Sequence, residues 1–90
     1  MTRKLRGFDS LTAYQMRKLS IFDDGIRIAT ITIIDNSSFL FARTSREWSE
    51  MKRLLDSAKY LKEADPNVDV LESVASLAHS YNYSTELTSW

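Results

Sequence analysis

Two short polar turns divide residues 17–43 into three runs that are rich in β-branched and aromatic side chains. Asp24-Gly25 separates the first two runs, and a polar stretch at 35–38 separates the second from the third. Glycine readily adopts the positive φ that tight hairpin turns require, and Asp and Asn are common in the same turns. The sequence therefore predicts a three-stranded antiparallel meander, with strands near residues 17–22, 26–34 and 38–43.

The register that these turns imply gives both faces of the predicted sheet an apolar character. We take 24–25 and 36–37 as two-residue loops, and alternate residues of each strand then point to opposite sides. One face collects Leu19, Ile21, Ile26, Ile28, Ile34, Phe39 and Phe41. The second face collects Phe22, Ile31, Ile33 and Leu40, together with Ala29, Ala42, Lys18 and Arg27. An antiparallel sheet commonly has one wet face, so we expect a cover for the second face: an N-terminal segment with Leu5, Phe8 and Leu11, a second copy, or a partner.

Two amphipathic helices are predicted after the sheet. Residues 44–47 read Thr-Ser-Arg-Glu, a capping box in which the threonine hydroxyl accepts a hydrogen bond from the amide three residues on. The apolar positions of the first helix recur at spacings of three and four residues, at Trp48, Met51, Leu54, Leu55, Ala58 and Leu61. Asp65-Pro66 ends that helix and opens the next one, because proline is tolerated at a first helical position. The second apolar stripe is Val68, Leu71, Val74, Leu77, Ala78 and Tyr81.

The fold class expected from this order of elements is α+β, in one compact domain spanning residues 1–90. Apolar residues at every third position and a capping Asp9-Ser10 predict a short helix near residues 9–16. The expected architecture is this N-terminal helix, the three-stranded meander, and a two-helix hairpin packed on the first, more apolar sheet face. We expect less order in a basic arm at residues 1–8 and in a polar tail at residues 82–90.

Residues that carry catalysis are scarce in this chain. It contains no cysteine, which excludes thiol chemistry, disulfides and thiolate metal sites. His79 is the only histidine, and Asp23-Asp24 belongs to a predicted turn rather than to a pair of catalytic carboxylates. Neither glycine lies in a phosphate-binding pattern. We therefore expect a protein that is not an enzyme and that uses no cofactor and no metal.

The sequence carries no membrane or secretion signal. No apolar run reaches the roughly 18 to 20 residues that a membrane helix needs. The N-terminus is basic but lacks the apolar core of a signal peptide. We expect a cytoplasmic protein with no membrane partner.

Charge is balanced over the whole chain but divided between its two ends. The chain has 12 basic and 12 acidic residues, a net charge of zero. Residues 1–30 carry six basic and three acidic side chains, a net +3, whereas residues 61–90 carry one basic and five acidic, a net −4. Such asymmetry suits association with another protein, and the basic half leaves nucleic-acid binding open as an alternative. The residues for that alternative are Arg3, Lys4, Arg6, Arg17, Lys18 and Arg27.

A non-enzymatic protein-binding module is the function that we expect. The candidate contact residues come from the second sheet face and the tail: Phe22, Arg27, Ile31, Ile33, Leu40, Tyr83 and Trp90. In size and build the chain is similar to the small stand-alone proteins with which phages and mobile elements block host machinery. This resemblance of shape implies an inhibitor or regulator of a host protein complex. Self-association as a homodimer, through the second face or through edge strands, is an open alternative.

Overall fold

The structure is a computed structural model, and it describes residues 16–89. Within this range the elements are, in order, β1 (Met16–Asp23), β2 (Ile26–Ile34), β3 (Ser37–Ala42), α1 (Ser45–Ala64), α2 (Val70–Ser80) and β4 (Ser84–Ser89). The strands form one antiparallel sheet in the order β3-β2-β1-β4, and both helices pack on one of its faces. The α+β class, the β-meander and the helical hairpin on one sheet face are confirmed.

The sheet has four strands rather than the predicted three. Residues 84–89, which we expected in an irregular tail, form β4 and pair with β1 from Ser84↔Phe22 to Ser89↔Arg17. Their sequence, Ser-Thr-Glu-Leu-Thr-Ser, has one large apolar residue and no clear hydrophobic alternation. The long-range pairing with β1, which local sequence does not reveal, makes it a strand. The predicted helix near residues 9–16 lies outside the described residues except for Met16, which begins β1; residues 1–8 and 90 lie outside as well.

Both predicted hairpin turns are present, and the second is displaced by one residue. Asp24 and Gly25 have φ values of 56° and 81°, the left-handed conformation that a type I′ turn requires. The second loop is 35–36 rather than 36–37, with Ile34 paired to Ser37.

A β-bulge beside the first hairpin decides which side chains face the helices. Phe22 pairs with Arg27, but Ile21 pairs with Ala29, so Ile28 is an extra residue in β2. Every later pairing between β1 and β2 is displaced by one residue from a regular hairpin. Because side chains alternate between faces, such a slip exchanges the two faces of a strand.

The predicted grouping of residues into two faces is wrong for this reason. The side under the helices, which we call the covered face, carries Leu19, Ile21, Ile28, Ala29, Ile31, Ile33, Leu40 and Ala42. The opposite side, the open face, carries Lys18, Ser20, Phe22, Arg27, Thr30, Thr32, Ile34, Phe39 and Phe41. Residues 31, 33 and 40, which we predicted beside Phe22 and Arg27, therefore lie on the other side of the sheet.

The helices close the core over the covered face. α1 buries Met51, Leu54, Leu55 and Ala58, and α2 buries Leu71, Val74 and Ala78. These side chains and the buried strand residues form one hydrophobic cluster. Trp48 and Leu61, which we predicted in the first stripe, are 42% and 47% exposed and lie at its ends.

Side-chain caps define where the helices begin. Thr44 Oγ1 accepts a hydrogen bond of 3.1 Å from the backbone N–H of Glu47, which confirms the predicted cap of α1. α2 begins at Val70, four residues later than Pro66 suggested. The Asp69 carboxylate is its cap and accepts bonds of 3.0 and 3.3 Å from the N–H groups two and three residues on. Neither helix in residues 16–89 has the length and apolar character to cross a membrane.

Candidate protein-docking face

The open face is arranged in rows that run across the sheet. The register places Phe39, Thr32, Lys18 and Thr88 in one row, and Phe41, Thr30, Ser20 and Glu86 in the next. In both rows the aromatic side chain lies at the β3 edge, while small polar and charged groups occupy the centre and the β4 edge. The face therefore combines an aromatic border with a polar middle.

Phe39 and Phe41 are the most exposed apolar side chains of the open face. They are 56% and 73% exposed. They alternate along β3 with Leu40, whose side chain packs against the core on the other side. Residues two apart on a strand stand about 7 Å from each other on one face, so a single partner surface can contact both rings. Exposed aromatic pairs of this kind are typical of interaction sites.

An arginine lies over the third aromatic ring of this face. The guanidinium carbon of Arg27 is 5.9 Å from the centroid of the Phe22 ring. The hairpin at Asp24-Gly25 brings them together, because it pairs Phe22 with Arg27 on the same side of the sheet. The electrostatic attraction between a cation and an aromatic ring holds the side chain over the surface. Arg27 is exposed, so its N–H groups remain accessible to a carboxylate of a partner.

Arg43 follows β3 and is fixed by the first turn of α1. Its Nη2 and Nε atoms donate hydrogen bonds of 2.7 and 3.2 Å to the Glu47 carboxylate. This hydrogen-bonded pair lowers the pKa of Glu47 and raises the pKa of Arg43 from their ordinary values. A shallow cavity of about 190 Å³ lies between Arg43, Phe41 and Arg27, at the corner of the open face.

A larger cleft lies at the opposite end of β2, between the β2–β3 turn and the loop that joins the helices. Its volume is about 770 Å³. Arg17 forms an ion pair of 2.9 Å with Asp69 at its wall. Lys62 Nζ donates to the carbonyl oxygens of Pro66 and Val68 at 3.3 and 3.2 Å. Because these charged groups already bind the loop and the helix start, they hold the structure together rather than present a charged site.

The structure separates the predicted contact residues. Phe22 and Arg27 lie together on the open face. Ile31 is fully buried, and Ile33 and Leu40 are partly buried against the core, beneath the helices. The open face therefore keeps two of the predicted sheet residues, and the other three serve the core; residue 90 lies outside the described range.

Tyr83, the remaining predicted contact residue, connects the segment before β4 to α1. Its hydroxyl donates a hydrogen bond of 2.6 Å to Glu50 Oε1. This bond, together with partial burial, raises the pKa of Tyr83 to about 12. The ring packs against the edge of the core.

The basic residues proposed for nucleic acid are also divided. Lys18 and Arg27 lie on the open face, whereas Arg17 lies on the covered side, bound to Asp69. Residues 3, 4 and 6 lie outside the described range.

Sequence reasoning missed Phe39 and Phe41 as surface residues, since it assigned them to the face under the helices. A usable signal was present in the neighbouring strand. Thr30 and Thr32 alternate with isoleucines, and the threonine side of an alternating strand is the one expected to meet water. The register then places both phenylalanines on the threonine side.

The described residues offer few groups for catalysis. His79 Nε2 lies 2.9 Å from Thr85 Oγ1, which joins α2 to β4. Within residues 16–89, no group of three or more His, Cys, Asp or Glu side chains lies close enough together to hold a metal ion.

No protein-family model matches the chain, and no curated protein or solved structure matches it either.

Proposed function

We propose that this protein is a non-enzymatic binding module that docks on another protein through the open face. The observation that carries the proposal is the pair of exposed rings, Phe39 and Phe41, on the side of the sheet that the helices leave uncovered. Burying an exposed phenylalanine side chain is worth about 1.5–3 kcal/mol. Because the two residues are already partly buried, a partner that covers both rings gains about 2–4 kcal/mol towards the cost of association.

An apolar groove bordered by carboxylates is the partner surface that fits this face. The groove receives the two rings of β3, and a carboxylate pairs with Arg27 beside Phe22. Arginine and aromatic residues are the types most often found at energetic centres of interfaces. Hydroxyl groups of Thr30 and Thr32 supply hydrogen bonds between these anchors. A carboxylate border also accelerates encounter with the cationic residues of the open face.

Among binding functions, we propose an inhibitor or regulator of a host protein complex, of the kind that phages and mobile elements encode. A domain of 90 residues acts in this way by occupying a surface that its target needs for another partner. Such blocking requires a docking face and no catalytic group. The exposed aromatic border of the open face supports this mode of action.

Matched variants test the docking face directly. The tagged chain is used to capture partners from a lysate of its native host after nuclease treatment. We expect one stoichiometric protein complex with the wild type. A double variant, Phe39→Ser with Phe41→Ser, should lose at least about tenfold of the captured protein, because both anchors are removed.

Tyr60→Ser is the matched control. Tyr60 is 72% exposed, close to the 73% of Phe41, but it lies on α1. This variant should capture as much protein as the wild type. Equal capture by the double variant and the wild type would show that the open face is not the docking face.

Single-stranded nucleic acid is a second candidate ligand, favoured by the presence of three phenylalanines and two basic residues on one sheet face. Bases stack on aromatic side chains, and Lys18 and Arg27 supply positive charge beside them. Binding of a labelled dT12 oligonucleotide, followed by fluorescence anisotropy, tests this reading. Affinity that falls steeply between about 50 and 200 mM salt, and that Arg27→Glu weakens, favours nucleic acid. An oligonucleotide that does not bind at 50 mM salt would exclude this candidate.

A further inference from the structure

The two edges of the sheet differ in how their outward backbone groups are used. At the β3 edge, Trp48 Nε1 donates a hydrogen bond of 3.2 Å to the carbonyl oxygen of Leu40, so a side chain occupies the middle of that edge. At the β4 edge, no strand and no side chain among residues 16–89 bonds to the outer backbone. β4 also carries none of the lysines, prolines or bulges that protect edge strands from pairing.

The alternation of the hydrogen-bond ladder identifies the groups that β4 directs outward. The N–H of Arg43 donates inward to Ile28 O at 2.9 Å, whereas the carbonyl of Leu40 points outward to Trp48. The odd-numbered residues of β3 therefore bond to β2, since successive residues of a strand bond on opposite sides. The same alternation can be traced from β3 across β2 and β1 through the paired residues. It shows that the even-numbered residues of β4 bond to β1. The residues that direct their N–H and C=O groups outward are Thr85, Leu87 and Ser89.

We propose that β4 pairs with β4 of a second copy of this chain, antiparallel and with the two-fold axis at Leu87. In this register Leu87 faces Leu87 of the second copy, and Thr85 faces Ser89. Each of the three pairs exchanges two N–H···O=C bonds, as outward residues of antiparallel strands do. The edge is thus complementary to itself without any change in the fold.

Side chains on both sides of the sheet agree with this register. On the covered face, Leu40, Ile31, Leu19 and Leu87 form one apolar row, which ends at Leu87, a residue that is 38% exposed. In the dimer this row continues into the second copy through contact between the two Leu87 side chains. On the open face, Glu86 lies opposite Thr88 rather than another glutamate, so no like charges face each other.

The dimer would be a continuous eight-stranded sheet with both open faces on the same side. The two β3 strands form its outer edges, seven strand spacings apart, which is about 33 Å. A dimer therefore presents two aromatic borders to one target assembly, which raises the effective affinity by bivalency. Self-pairing of β4 does not depend on the proposed docking function.

A cysteine scan of β4 tests the register. The chain has no cysteine, so Leu87→Cys introduces a single thiol. The two Cα atoms of a hydrogen-bonded antiparallel pair are about 5.5 Å apart, within the range of a disulfide. Glu86→Cys is the matched control, since its two copies lie two residues out of register, with Cα atoms about 8 Å apart. We expect the Leu87→Cys variant to form disulfide-linked dimers at least about tenfold faster under mild oxidation.

Sedimentation analysis tests the association without a covalent link. A six-residue edge buries less surface than most stable interfaces, so we expect a concentration-dependent dimer with a Kd at or above about the micromolar range. Leu87→Pro should weaken dimerisation at least about tenfold, because the ring removes an outward donor and leaves the bonds to β1 intact. The Phe39→Ser/Phe41→Ser variant should dimerise like the wild type.

Three outcomes would overturn the proposal: a wild type that is monomeric up to about 1 mM, equal cross-linking of the two cysteine variants, or a dimer that the phenylalanine variant loses and Leu87→Pro retains. Circular dichroism confirms that each variant is folded. If Leu87→Pro does not fold, the cysteine comparison still decides, because it leaves the backbone of β4 unchanged.

Discussion

The covered and open faces come from the same strands but differ in the side chains that they carry. The covered face is almost uniformly aliphatic, with Leu19, Ile21 and Ile31 fully buried. The open face has threonines and charged residues at its centre and two exposed phenylalanines at one border. Burial under the helices thus determines the chemistry of one face, whereas nothing in the core explains the aromatic border of the other. That contrast is the reason for placing function on the open face.

Aspartate substitutions at two neighbouring residues of β2, one on each face of the sheet, should differ strongly in their effect on stability. Ile31→Asp places a charge in the core and should destabilise the fold by about 3–5 kcal/mol, enough to unfold many domains of this size. Thr32→Asp, one residue away on the open face, should cost no more than about 1 kcal/mol. Urea denaturation followed by circular dichroism measures both. Similar losses for the two variants would contradict the assignment of faces.

Local signals in the sequence were sufficient for the elements that depend on neighbouring residues. The turn at Asp24-Gly25 follows from the glycine, and the start of α1 follows from the Thr44 cap. The apolar stripes of both helices follow from their spacing of three and four residues. In these cases the residues that determine the structure lie within a few positions of each other, so a sequence pattern records them.

Long-range pairing was not predictable in the same way. The extra residue Ile28 shifts the register between β1 and β2 by one position, which reversed the assignment of Ile31, Phe39 and their neighbours relative to β1. The displaced second turn shifts the pairing of β3 with β2 by two residues, which leaves the faces unchanged. β4 was missed because its partner, β1, lies more than 60 positions earlier in the chain. The candidate site depends on these non-local features, and for that reason the sequence located Phe22 and Arg27 but not the phenylalanines of β3.

The packing of the helices on the covered face depends on polar contacts at the start of α2 as well as on apolar contacts. Asp69 caps α2 and pairs with Arg17 of β1, so it joins the helices to the sheet. Asp69→Ala should destabilise the fold by about 1–2 kcal/mol, chiefly through the lost cap. Asp69→Asn retains a capping oxygen and should cost only about 0–1 kcal/mol, since the partly exposed ion pair contributes little. Equal losses would show that the ion pair, not the cap, is the important contact.

The charge of Asp69 gives this contact a pH dependence. Partial burial opposes ionisation, but the hydrogen bonds from Arg17 and from the start of α2 outweigh it, so the pKa of Asp69 lies below its ordinary value. A lowered pKa means that the stabilisation is present above the ordinary pKa of aspartate, about 3.9, and is lost as the pH falls through the lower folded value. The stability difference between the wild type and Asp69→Asn should therefore shrink in acid, which urea titrations between pH 2 and 6 would measure.

A second polar contact, between Tyr83 and Glu50, joins the segment before β4 to α1, and its loss should have a smaller effect on stability. Tyr83→Phe removes a hydrogen bond of 2.6 Å while keeping the ring, so we expect a loss of about 0.5–1.5 kcal/mol at neutral pH. The raised pKa of Tyr83, about 12, means that this contribution is present below the ordinary value of about 10 and is lost as the pH rises towards 12. Titration of tyrosinate absorbance should show an ionisation above the ordinary pKa of about 10, and this ionisation should be absent in Tyr83→Phe.

The smallest effect on stability is expected at the most exposed ring. Phe41 is 73% exposed, and threonine suits an edge strand, so Phe41→Thr should change the free energy of unfolding by no more than about 0.5 kcal/mol. The same substitution should weaken capture of the protein partner, because the ring is one of the two anchors on the open face. If the variant keeps its stability but binds the partner more weakly, Phe41 is a docking residue and not a core residue. A loss of more than about 2 kcal/mol would instead show that the ring is buried in the folded chain, and the open face would then resemble the covered one.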